Sequence, residues 1–125
     1  MFGDDYDTPD GTCIRDFIHV QDLASAHMAA LAHLEAGKTL GALNLGTGRG
    51  YSVRDVIEAG SVALRRRIPY TATARRPGDP PQLVADPMRA MATLGWRPVR
   101  SDLPTIIEDA LRTRYSGSLV HSRTG

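Results

Sequence analysis

Cysteine is almost absent: Cys13 is the single one in 125 residues. A disulfide framework and a multi-cysteine zinc site are thereby excluded, and the usage suits a reducing cytoplasm. Lysine is equally scarce. Lys38 stands alone among 15 basic residues, so any lysine-dependent chemistry rests on it or is missing. Large apolar side chains are few. Leu, Ile, Val and Phe make up 27 of 125 residues, about 22%, just above the roughly 20% found in disordered chains. Alanine lifts the apolar total to 42%, but each alanine buries little area, so the core is expected to be thin. A net charge of +1 excludes a protein that coats polyanions, which needs excess positive charge. No stretch of about 18 apolar residues could span a membrane. The first residues are acidic and polar rather than basic and then apolar, unlike a signal peptide. The expectation is one short, soluble, cytoplasmic domain that binds neither nucleic acid nor membrane.

What is present reads as short strands alternating with helices, an α/β pattern. Residues 1–13 carry Asp-Gly and Thr-Pro pairs and read as a solvated loop. Four aspartates lie there, but Asp5, Asp7 and Asp10 lack the alternating spacing of a calcium loop. Residues 13–20 predict a strand, and Asp22 opens a helix with Leu23, Ala26, Ala30, Leu31 and Leu34 on one face, stopping near Gly37. His27 and His33 on that helix are spaced too far apart to share a metal. Residues 42–45 predict a short strand running into Gly46-Thr47-Gly48-Arg49-Gly50. A helix follows, entered through Ser52-x-x-Asp55, which resembles a capping box, and is interrupted at Gly60. Residues 68–74 predict a strand and 83–85 a brief extended piece. Asp86-Pro87 predicts a helix start and Gly95 its stop, while Ser101 caps a last helix. The domain is expected to span 1–114, with 115–125 a disordered tail.

Two loops are candidates for chemistry. The 46–50 loop departs from the dinucleotide fingerprint G-x-G-x-x-G, because Tyr51 stands at the sixth position and no acid follows near Arg66. A tight turn onto a helix, with amides available to an anion, is the better reading. The turn Arg75-Arg76-Pro77-Gly78-Asp79 holds two cations in a stiff loop, where a guanidinium can grip a phosphate and Asp79 can accept from a sugar hydroxyl. On the residues alone, a surface turn with solvated charges stands ahead of that reading. Arg65-Arg66-Arg67 lacks interleaved aromatics and reads as a bare charge run. Cys13 has no neighbouring base and reads as structural.

Four segments together resemble the C-terminal part of bacterial UDP-glucose 4-epimerases, members of the extended short-chain dehydrogenase/reductase superfamily. They are FGDDYDTPDGTCIRDFIHVQDLA at 2–24, ALNLGTGRGYSV at 42–53, RRPGDPPQLVADP at 75–87 and LGWRP at 94–98. The resemblance covers about residues 2–110 and implies an incomplete substrate-binding portion of that fold. Its N-terminal Rossmann half, with the cofactor glycines and the Tyr-x-x-x-Lys pair, has no counterpart in these residues. Leu34, not tyrosine, stands four positions before Lys38. Met1 stands where the family has a mid-strand aliphatic residue, which implies a truncated gene or a misplaced start. Phe17 and Leu83 replace tyrosines found in family members.

As the resemblance implies, Arg15 and Arg76 contact the substrate diphosphate, Asp79 holds the ribose of UDP, and Arg49 lies near the uracil side. NAD is the cofactor of the full-length family, where it takes a hydride from C4 of the hexose and returns it to the other face. This chain alone is expected to hold no NAD, no metal and no catalytic residue. It is expected to bind UDP-glucose or UDP-galactose weakly, within galactose and nucleotide-sugar metabolism. The competing reading is a non-catalytic relic or partner-binding fragment, paired with a separate Rossmann half or with a homodimer partner.

Overall fold

The computed structural model describes residues 1–118. Its elements in chain order are β1 (Ile14–Arg15), α1 (Val20–Glu35), β2 (Tyr51–Ser52), α2 (Val53–Ala63), β3 (Gln82–Leu83), α3 (Met88–Leu94) and α4 (Leu103–Ser118). The three strands form one small sheet in the order β2-β1-β3. β1 pairs antiparallel with β2, Arg15 opposite Tyr51, and parallel with β3, Arg15 opposite Leu83. Arg15 therefore sits on the central strand. Helix α1 packs against α3, and α2 against α4.

Local chemistry explains most helix ends. Ser52 and Asp55 form the full capping box at the start of α2, each side chain taking the other's backbone N–H. Gly95, in the left-handed conformation at φ 61°, closes α3. Other ends differ from expectation. Helix α1 begins at Val20 rather than at Asp22, because the His19 ring accepts from the Gln21 N–H and caps it. At α4 the capping acceptor is Asp102, which takes the Thr105 N–H at 3.0 Å. Ser101 instead accepts from the His19 N–H and donates to Asp22. Asp86 accepts from the Met88 N–H, although the cap position falls on Pro87. Helix α2 runs through Gly60, which is buried so close to Ile68 that a Cβ would lie 2.9 Å from its Cδ1.

The expected strands shrink. Of residues 13–20 only Ile14–Arg15 is strand, since the chain turns into the α1 cap immediately afterwards. Residues 42–45 form no strand, and 68–74 contribute only an isolated bridge between Thr73 and Phe2. Helix α4 reaches Ser118, four residues past the expected domain limit of 114, and the rest of the expected tail, 119–125, lies outside the described residues.

The core is thin, as the composition requires. Ala26, Ala90 and Trp96 are its buried centre, flanked by Ile18, Leu43, Leu45, Met91 and Leu94. The Trp96 indole N–H reaches the Asp22 carbonyl at 3.1 Å and the Ser25 hydroxyl at 2.9 Å. The outer half of the predicted α1 face stays uncovered, with Leu31 48% and Leu34 51% exposed. No described helix is long and apolar enough to cross a membrane.

Candidate functional site

The central strand brings candidate residues together from distant parts of the chain. The Arg15 guanidinium donates to the Ile14 carbonyl at 2.8 Å and to the Pro80 carbonyl at 3.0 Å. It faces the Asp79 carboxylate at 3.4 Å, both side chains being partly exposed. Parallel pairing of β1 with β3 produces this meeting, because Asp79 lies just ahead of Gln82. The Asp79 N–H donates to the Arg76 carbonyl at 3.3 Å and closes the turn that carries both residues. Arg76 itself is exposed and lies over the Phe2 ring, 4.1 Å from its centroid. Arg49 stacks on Tyr51 at 5.0 Å, two residues before the register partner of Arg15.

The N-terminal segment is not the solvated loop expected from its composition. Tyr6 and Thr12 are buried. Asp10 accepts from the Thr12 N–H and hydroxyl and from the Ser52 hydroxyl. Burial raises the Asp10 carboxyl, but these hydrogen bonds and nearby Arg54 outweigh it and hold it below its ordinary value. Arg75 lies over Tyr6 at 4.4 Å and donates from Nε to the Asp5 carboxylate at 2.7 Å and from its terminal nitrogen to the Asp5 carbonyl. The Nε bond to the carboxylate holds the Asp5 carboxyl below its usual range. Both arginines of the turn thus rest on aromatic rings of the first six residues. Neither ring was legible as an anchor, since the contacts span some 70 positions.

The 46–50 loop does turn its amides onto an anion, and the anion belongs to the chain. The Thr47 N–H lies 3.0 Å from each carboxylate oxygen of Asp16, the Thr47 hydroxyl 2.7 Å from Oδ1, and the Gly48 N–H 3.0 Å from Oδ2. The loop does not fit a dinucleotide pyrophosphate, because the carboxylate already fills its amide nest. Sequence reasoning passed over Asp16. The signal was a single acid next to Arg15, one strand away from a glycine loop.

A cleft of about 630 Å³ opens beside this loop, between 43–45 and 83–86. Arg15 and Asp16 line it, whereas Arg49, Arg76 and Asp79 do not. Among the described residues no group of three or more His, Cys, Asp or Glu side chains could hold a metal ion. Cys13 is buried and unpaired.

Comparison with known proteins places this arrangement. The NAD dependent epimerase/dehydratase family matches residues 1–46. The UDP-glucose 4-epimerase of Azospirillum brasilense is 52% identical over 111 residues, covering 89% of this chain and 32% of its own. That of Corynebacterium glutamicum is 51% identical over 110 residues, covering 88% and 33%. Among solved structures, the UDP-glucose 4-epimerase from Brucella ovis in complex with NAD superposes with a TM-score of 0.81 at 53% identity, over 86% of this chain and 33% of that one. The Bifidobacterium longum enzyme in complex with NAD+ and UDP gives 0.85 at 42% identity, over 94% and 34%. The chain spans about a third of the length of these relatives. With such identity sustained over nearly all of its own length, the chain is homologous to about a third of a UDP-glucose 4-epimerase, and its first 46 residues match the NAD dependent epimerase/dehydratase family.

Proposed function

We propose that this chain is the UDP-hexose-holding portion of a UDP-glucose 4-epimerase, and that on its own it neither holds NAD nor turns substrate over. The observation that carries this reading is the placement of Arg15 on the central strand against Asp79 of the Arg76 turn. In the proposal Arg15 and Arg76 grip the diphosphate, with Arg49 towards the uracil. Asp79 faces Arg15 at 3.4 Å. An arriving diphosphate takes over that guanidinium and leaves the Asp79 carboxylate for a ribose hydroxyl. Holding the nucleotide rather than the hexose leaves the sugar free to present either face. The inactivity of the isolated chain is supported by two facts: the single lysine has no tyrosine four positions before it, and the glycine loop holds Asp16.

A second reading, a non-catalytic chain that docks on a partner, is favoured by the uncovered apolar side chains of α1. The two readings part on ligand binding. Hydrogen bonds to charged groups are worth about 1.5–3 kcal/mol each, so two arginines, less the cost of ordering their loops, leave a net near 4 kcal/mol. That corresponds to a dissociation constant of about 1 mM. Titration of UDP into labelled protein is expected to perturb the NMR signals of 15 and 75–79, less so 46–50, and added salt weakens the response. Arg76→Ala removes most of it and Arg66→Ala leaves it intact. Equal losses from both substitutions would mean a diffuse basic surface and would overturn the substrate reading.

A further inference from the structure

We infer that Asp16 is a positioning residue of the candidate site: its carboxylate gathers the 46–50 loop and the segment after β3 around β1, and so sets where Arg15 meets the Arg76–Asp79 turn. The inference rests on the reading of that site as a UDP-binding one.

The arrangement is built around a carboxylate. The donors Thr47 N–H, Thr47 hydroxyl, Gly48 N–H and Ala85 N–H converge on the two Asp16 oxygens, the last at 3.3 Å. Only a carboxylate is an acceptor on both atoms and donates on neither. Gly46 is shaped to admit it, since a Cβ there would lie 2.6 Å from Asp16 Oδ2 and 2.6 Å from the Ala85 Cβ. Gly48 supplies the left-handed backbone, φ +74°, that turns the loop onto the oxygens.

The consequence for Arg15 follows from chain continuity. The Asp16 N–H donates to the Leu83 carbonyl at 3.2 Å, and the Ile14 N–H to the Pro81 carbonyl at 2.8 Å. Arg15 lies between these two bonds, and its guanidinium, besides donating to the Ile14 carbonyl, reaches Asp79 and Pro80 just before β3. Strands of two residues cannot hold register alone. The Asp16 bonds to Ala85 on one side and to Thr47 and Gly48 on the other extend the pairing by side-chain means.

Asp16→Asn keeps the shape but sets an NH2 donor against at least one of the converging N–H groups. Three readouts follow from one labelled sample of the full chain: hydrogen exchange at Thr47, Gly48 and Ala85, the Arg15 Nε–H signal, and the UDP dissociation constant. Faster exchange at the three amides, a shifted Arg15 signal and about tenfold weaker UDP binding, equivalent to roughly 1.4 kcal/mol, are expected. A purely structural role would lower the melting temperature but leave the affinity of the folded fraction unchanged. A folded Asp16→Asn chain with unaltered affinity would overturn the inference while the site reading stands. No response to UDP in the unsubstituted chain would overturn the site reading, and the Arg15 signal would then decide whether Asp16 positions it. Should Asp16→Asn not fold, Thr47→Val removes one donor and keeps the shape. About twofold weaker binding with a shifted Arg15 signal supports the inference, and no change in either defeats it.

Discussion

Asp22 shows how much one side chain can hold. It is 2% exposed and accepts from the Val99 N–H at 3.1 Å, the Arg100 N–H at 2.8 Å and the Ser101 hydroxyl at 2.6 Å. Burial pushes its carboxyl up, but the Ser101, Val99 and Arg100 donors, with His19 nearby, bring it below the ordinary range. A depressed folded-state value means that Asp22 stabilises the fold above its unfolded value, about 3.9, and that this stability is lost as pH falls through the lower folded value. Asp10 acts in the same direction. The melting temperature is therefore expected to change little between about pH 7 and 5 and to fall steeply below about pH 4. Asp22→Asn should make that fall shallower. It should also cost about 2–3 kcal/mol at neutral pH, because an amide nitrogen would oppose a buried donor. Urea unfolding followed across pH checks both, and a slope unchanged by Asp22→Asn would refute the assignment.

At the scale of elements, the contrast lies between stapled helices and orphaned extended segments. Trp96 joins the α3–α4 connection to α1 through its ring packing and its two indole hydrogen bonds. Trp96→Ala is expected to cost about 3–5 kcal/mol, a large share of what so small a core can supply. Loss of the cooperative transition in circular dichroism would register it. Residues 42–45, short and mostly apolar, and 68–72 read as strands in the sequence but form no ladder. Their amides are expected to exchange fast while those in the middle of α1 are retained, and slow exchange across 42–45 would contradict this.

For the whole molecule, the accessible surface is 8900 Å². A compact monomer of 13.5 kDa exposes roughly 6,500 Å². Part of the excess is apolar: Val20, Met28, Leu31 and Leu34 on α1 are each about half exposed or more. Such a face favours association. Sedimentation is expected to show concentration-dependent self-association, reduced by Met28→Asp with Leu31→Asp. A monomer unfolding cooperatively above about 60 °C would contradict the expectation of marginal stability. The purified chain, given NAD, is expected to show no interconversion of UDP-glucose and UDP-galactose, and measurable turnover would defeat the proposed division of labour.

Helices, their capping box and the Gly95 stop were legible in the sequence because they depend on residues within a few positions of one another. The motifs at 2–24, 42–53, 75–87 and 94–98 carried the family for the same reason, as contiguous runs. Strand lengths were not legible, since a strand exists only where a distant neighbour pairs with it, and 42–45 found none. The candidate site was half legible. The Arg76–Asp79 turn could be read locally, whereas its meeting with Arg15 depends on parallel pairing across 68 positions. Asp16 was passed over, and Asp22 was read only as a helix opener, because their donors lie 31 to 79 positions away. A buried carboxylate looks like any other acid until the chain folds its amides around it.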